Sequence, residues 1–142
     1  MVVTVALDTS ALMMPVESDV RLFEELERLV GGSEVRCTSD PSGDTPRGIE
    51  CVVPRAVCEE LSKLSDGASE EAVAASVGAD LATERCRVVE HEASYADDVL
   101  VELAPEFDYV VTNDGPLKER LLDAGAPVIH IRGRNKLAIS KP

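Results

Sequence analysis

The stretch Val2-Val3-Thr4-Val5-Ala6-Leu7-Asp8-Thr9-Ser10 constrains this chain more than any other. Five of the six residues from Val2 to Leu7 are apolar and four are β-branched. A strand of that composition is covered on both faces, which places it at the centre of a parallel sheet. It stops at a carboxylate followed by two hydroxyls. The carboxyl ends of the strands form the ligand crevice of an open parallel sheet. Asp8 is therefore a helix cap or turn former when it stands alone, and part of a site when other groups converge on it.

The rest of the chain alternates. Val20, Phe23, Leu26, Leu29 and Val30 share a face and predict a helix from about Asp19 to Val30, ended by Gly31-Gly32. Residues 33–48 are polar and rich in turn formers, a surface loop with a short hairpin arm at Glu34–Thr38. Ile49–Val53 is a second strand, and Pro54 suits the first turn of a helix to about Leu64. A further helix spans about Glu70 to Glu84, and Arg87–Glu90 is a short strand. Ser94, with Asp97 three residues on, has the spacing of a capping box for a helix to about Ala104. Phe107–Thr112 is another buried strand, and Asp114 can cap a helix that ends at Gly125. Val128–Ile131 is the last strand, and residues 132–142 form a short basic tail. This alternation predicts one α/β domain over residues 1–142, with helices packed on a mostly parallel sheet.

The net charge is −13, from 27 acidic and 14 basic residues, and only four of the basic ones are Lys. Acidity spread over a Lys-poor surface suits a high-salt, halophilic cytoplasm, where repulsion is screened. It argues against binding nucleic acid through a broad basic footprint. Local contacts or a metal must then do that work. Cys37, Cys51, Cys58 and Cys86 show neither C-x-x-C spacing nor a His partner, so they read as reduced thiols and not as a zinc site. No leader or membrane span is legible, and the expected location is the cytoplasm.

Helical geometry separates useful acids from decorative ones. Val57, Leu61 and Leu64 set the core face of the helix after Pro54. Glu60 flanks that face and Glu59 points away. On the 95–104 helix Asp97 falls inside the apolar arc, between Ala104 and Val101, whereas Asp98 shares the outer side with Glu102. Glu60 and Asp97 are thus expected on buried faces, and Asp8 and Asp114 each follow a buried strand. Taken singly, Asp97 and Asp114 could be helix caps, and Glu60 could pair with Arg55 or Arg21. Four such acids at one sheet edge, with no Lys or Arg between them, would repel one another if left bare. Magnesium or manganese fits a site of carboxylates and water, where it makes a water nucleophilic and stabilises charge on a phosphoryl group. Asp8 is then the natural direct ligand.

These residues resemble the PIN-domain ribonucleases. The resemblance covers nearly the whole chain. Its pieces are Asp8-Thr9-Ser10 after a buried strand, Val57-Cys58-Glu59-Glu60-Leu61, Tyr95-Ala96-Asp97-Asp98-Val99-Leu100, and Val110-Val111-Thr112-Asn113-Asp114 with Leu117 beyond. The Tyr-Ala-Asp-Asp form looks closest to the archaeal and eukaryotic rRNA-processing branch. The resemblance implies a three-layer α/β/α fold with strand order 3-2-1-4-5 and Mg2+- or Mn2+-dependent cleavage of RNA. It further implies that Asp8, Glu60, Asp97 and Asp114 are the catalytic, metal-holding acids, supported by Asp98. Thr112 and Asn113 match the polar residues that orient the fourth acid or its water. Ser10 stands where the family more often has Asn, and its hydroxyl can still bond Asp8 or nearby backbone.

The expected partners are an rRNA or tRNA substrate, a second copy of the chain, and an antitoxin or a ribosome-assembly protein. Arg132, Arg134 and Lys136, with Lys141 beyond, form the only basic run and are candidates for touching RNA backbone. Two readings compete with rRNA processing: a toxin ribonuclease of a toxin–antitoxin pair, and a scaffold that binds RNA without cutting. A phosphotransfer domain fits poorly, because Ser10 stands where the haloacid-dehalogenase type needs a second Asp and no receiver-type acceptor set assembles. His91 and His130 are too isolated for acid–base catalysis.

Overall fold

A computed structural model describes residues 3–31, 37–38, 49–91 and 95–142. Strand β1 (Val3–Leu7) lies at the centre of the sheet, parallel to β3 (Ile49–Pro54) on one side and β5 (Tyr109–Val111) on the other. Beyond β5 comes parallel β6 (Val128–Arg132). The far side of β3 is shared: β2 (Cys37–Thr38) pairs with its start and β4 (Arg87–Val89) with its end, both in parallel. The five expected strands are thus β1, β3, β4, β5 and β6, and their spatial order β4-β3-β1-β5-β6 is the order 3-2-1-4-5.

Residues alternate across the pleat of β1 as a doubly covered strand requires. Val5 and Leu7 pack with Leu12, Leu26, Leu61 and Ala75 on one face. Ala6 packs with Leu100, Leu117 and Leu121 on the other. The first layer is α1 (Thr9–Glu17), α2 (Leu22–Leu26), α3 (Arg55–Leu64) and α4 (Glu70–Arg85); the other is α5 (Ala96–Leu103) and α6 (Gly115–Asp123). Gly125, with φ +88°, takes the left-handed turn that ends α6. No described helix is long and apolar enough to cross a membrane.

Four expectations are corrected. The expected helix over 19–30 is shorter: Asp19 takes φ +52°, which breaks the chain, α2 begins at Leu22, and residues Glu27–Gly31 continue as a π turn. An unexpected helix, α1, starts directly after Asp8. Its Ala11–Met14 segment is wholly buried, so no amphipathic period betrays it. The basic tail is in part a strand, since β7 (Lys136–Ser140) pairs antiparallel with β6 and closes that side of the sheet. Of the expected arm over Glu34–Thr38 only Cys37–Thr38 is described, and it pairs in parallel with β3. The rest of the 33–48 loop, Val2 and the Ser94 cap lie outside the described residues. Tyr95 is the N-cap of α5, so Asp97 sits one position earlier in the helix than a capping box needs.

Helices α1 and α4 approach closely at Gly78, where an added Cβ would stand 2.9 Å from the Leu12 carbonyl oxygen. In an exposed helix, Gly→Ala gains about 1 kcal/mol. Here the methyl meets backbone that cannot move aside. Gly78→Ala is expected to destabilise by about 1–3 kcal/mol net, as a lowered urea midpoint with unchanged slope.

Candidate active site

The parallel register decides what meets at the sheet edge. Leu7 lies opposite Val111, so the residues that follow them, Asp8 and Thr112, emerge side by side. Around them opens a cleft of about 410 Å³. Six carboxylates line it: Asp8 from β1, Glu17 from α1, Glu60 from α3, Glu71 from α4, Asp97 from α5 and Asp114 before α6. Thr9, Ser10, Met13 and Leu64 complete the described wall, and among the described residues no Lys or Arg lines it. A cleft of similar size beside α2 differs in kind, because Arg21 and Arg85 accompany its acids.

Asp8 is 4% exposed and held from three sides. The Ala11 backbone N–H donates to its Oδ1 at 2.7 Å, making Asp8 the N-cap of α1. The Ser10 hydroxyl donates to the same oxygen at 2.8 Å, and the Thr112 hydroxyl donates to Oδ2. Each hydroxyl also accepts from backbone in the loop after β5: Ser10 Oγ from Asn113 N at 2.9 Å, Thr112 Oγ1 from Asp114 N at 3.1 Å. Ser10 therefore ties the first acid to the loop that carries the fourth. Burial nevertheless wins over these donors, and the Asp8 carboxyl is pushed up to about 6, with the Asp97 charge adding to the rise. Asp97 is also raised, chiefly by desolvation and then by Asp114 and Glu60.

The structure brings Asp8, Glu60, Asp97 and Asp114 to one cleft and corrects how two of them sit. Glu60 and Asp97 are exposed, not buried. Their helix faces were correctly oriented, but at that depth the inward face looks over the cleft and not onto the core. Asp114 is the N-cap of α6 without a side-chain capping bond. Arg55 pairs with Glu90 and Arg21 with Glu24, so neither neutralises Glu60. Asp98 accepts from Arg120 at 2.9 Å and does not line the cleft. Lys136 lies 3.9 Å from Glu25 and is engaged there. Arg132 and Arg134 are exposed at the β6–β7 turn, away from the cleft lining.

Glu17 and Glu71 were missed. Glu17 ends the helix that showed no period, and Glu71 carries no local signal beyond opening α4. His91 accepts from the Ala56 N–H at 2.9 Å, and the His130 Nε2 lies 2.7 Å from the Ser140 hydroxyl, so both belong to the scaffold.

The donor set suits a hard divalent cation. The six described charged donors are all carboxylates, and the buried Thr9 hydroxyl on the same wall has no hydrogen-bond partner among the described residues. Among the described residues no three acids form a ready-made cage. That arrangement suits an ion such as Mg2+, which keeps several waters and takes one or two carboxylates.

Thr112 positions Asp8 without lining the cleft. Thr112→Val deletes one donor to Asp8 and the acceptor for Asp114 N, and is expected to push the Asp8 carboxyl further up. An upward shift of the Asp8 carboxyl titration, followed by NMR in wild type and variant, identifies the loss of that donor.

The family model for the PIN-like domain matches residues 5–38 and 47–134. A solved structure of the PIN domain endonuclease Utp24 is similar to this chain with a TM-score of 0.68 and 22% identity, covering 98% of this chain and 92% of that one. A domain of a functionally unknown protein from Methanocaldococcus jannaschii DSM 2661 is similar with a TM-score of 0.58 and 16% identity, covering 94% of each chain. No curated protein matches the chain significantly.

Proposed function

Because this chain belongs to the PIN-like domain family, whose members are generally nucleases, we propose that it is a metal-dependent endoribonuclease leaving 5′-phosphate and 3′-hydroxyl ends. One observation carries the reading: a buried, triply held Asp8 shares a cleft with Glu60, Asp97 and Asp114, and among the described residues no basic side chain lines it. Mg2+ or Mn2+, when bound there, supplies an activated water and neutralises charge on the phosphoryl group. The chain's own residues do the rest. Ser10, Ala11 and Thr112 fix the Asp8 oxygens, and the Asn113 and Asp114 amides lock that set to the β5 loop. Glu60, Asp97 and Asp114 hold negative charge on the open side, which favours a hydrated cation over a bare phosphate. The Tyr95-Ala96-Asp97-Asp98 motif supports a role in rRNA processing and ribosome biogenesis.

The charge of −13 favours one other reading, a scaffold that binds RNA or ribosome-assembly partners without cutting. End-labelled RNA incubated with purified protein separates the two. Cleavage that requires Mg2+ or Mn2+ and stops on chelation is the expected result. Intact RNA, together with no heat of Mn2+ binding by calorimetry, would establish the scaffold.

A further inference from the structure

An acidic chain that acts on RNA needs an attachment that does not depend on a basic surface. The chain has only four aromatic residues. Phe23 is buried, and Phe107 and Tyr109 are half-buried against the core. Tyr95 is different: it is 75% exposed. It stands at the N-terminal end of α5, two residues before Asp97, which lines the cleft. Its backbone is anchored, since the Tyr95 carbonyl accepts from Val99 N at 3.0 Å. Its side chain makes no hydrogen bond among the described residues. The same end of α5 carries Asp98, whose partner Arg120 brings a half-exposed guanidinium to this rim. An exposed ring on a fixed backbone, at the helix end whose Asp98 holds a half-exposed guanidinium, offers a stacking face to an unpaired base and a cation to its phosphate. Stacking of that kind is indifferent to net charge.

We propose that Tyr95 is a base-stacking residue, holding an unpaired nucleotide that flanks the phosphate in the cleft, with Arg120 beside it for the backbone. The inference rests on the nuclease reading and adds to it a binding residue outside the acidic cleft. The ring, and not the hydroxyl, is the working part.

The test uses a short unpaired RNA oligonucleotide of mixed sequence. In steady-state cleavage Tyr95→Ala is expected to raise KM by roughly 5- to 100-fold, the cost of one lost stack. Its kcat and melting temperature stay near wild type, and Tyr95→Phe retains wild-type KM. A second readout is available because the chain has no Trp and only two Tyr. Titrating the oligonucleotide into the Asp8→Asn chain should quench tyrosine emission, and adding Tyr95→Phe should remove that quench while binding persists. A wild-type chain that cuts the oligonucleotide, with KM unchanged in Tyr95→Ala and emission unquenched, overturns this inference alone. A wild-type chain that neither binds nor cuts it overturns the nuclease reading, and this inference with it.

Discussion

Asp8→Asn should abolish RNA cleavage, by at least about 10³-fold, while raising the stability of the metal-free protein. Asn keeps the shape and can still accept from Ala11 N and Ser10, so the cap on α1 survives. What it lacks is the charge. The Asp8 carboxyl sits at about 6 in the fold against 3.8 outside it. The unfolded chain therefore releases this proton about two units earlier, and the sign follows. Below pH 3.8 ionisation of Asp8 costs the native state nothing; between 3.8 and 6 the stability is progressively lost; above 6 the penalty is complete. Wild type and Asp8→Asn should converge in acid, and above pH 6 the variant should be more stable by about 1–3 kcal/mol. Adding Mn2+ should raise the melting temperature of wild type and leave the variant unmoved. A variant that still cuts RNA would remove Asp8 from the proposed chemistry. One that is less stable at pH 8 would show that its hydrogen bonds outweigh its buried charge.

Glu25→Gln should lower stability markedly at a position away from the site. Glu25 is buried on α2 and accepts from the Leu137 N–H at 2.9 Å and from Arg28 at 2.9 and 3.0 Å. Arg28 in turn donates to the Leu137 carbonyl at 2.8 Å. This pair is the polar clasp between the first helical layer and β7. Bonding to Arg28 lowers Glu25 to about 2, from 4.5. A lowered carboxylate stabilises the fold fully above pH 4.5 and loses that contribution as pH falls toward 2. The amide cannot accept from Arg28 at both positions and leaves a buried donor facing a guanidinium. A loss of about 2–3 kcal/mol is expected, below the full cost for a buried pair because Arg28 is half-exposed. That corresponds to roughly 6–12 °C in melting temperature. The wild-type acid limb between pH 4.5 and 2 should flatten in the variant. An unchanged limb would show that the clasp contributes nothing.

Much of this architecture is legible in the sequence because doubly covered strands are written as runs dominated by apolar and β-branched residues. Val2–Leu7, Ile49–Val53 and Phe107–Thr112 announce themselves that way, and each is followed by helix-opening residues. The acids of the cleft were legible for a related reason. A carboxylate next to a buried run, or on the inner side of an amphipathic helix, violates the pattern around it. That logic finds direction and not depth, which is why Glu60 and Asp97 came out on the right side yet exposed. Helix α1 stayed invisible because burial on all sides leaves no period, and its end residue Glu17 went unseen with it. Strand β7 was masked by Lys136 and the preceding arginines, whose charge described a tail while Leu137 and Ile139 were packing against the core.

The pairing of Asp8 with Thr112 joins positions 104 residues apart, and it has a consequence for how the protein is born. β1 and Asp8 leave the ribosome before the β5 loop that carries Thr112 and Asp114. Until that loop is released, the first acid lacks its strand-end partner and the sheet lacks the strand on one side of β1. A growing chain therefore carries no assembled cleft beside the ribosomal RNA that surrounds it. Assembly of the cleft is thus deferred by chain order until β5 joins the sheet beside β1.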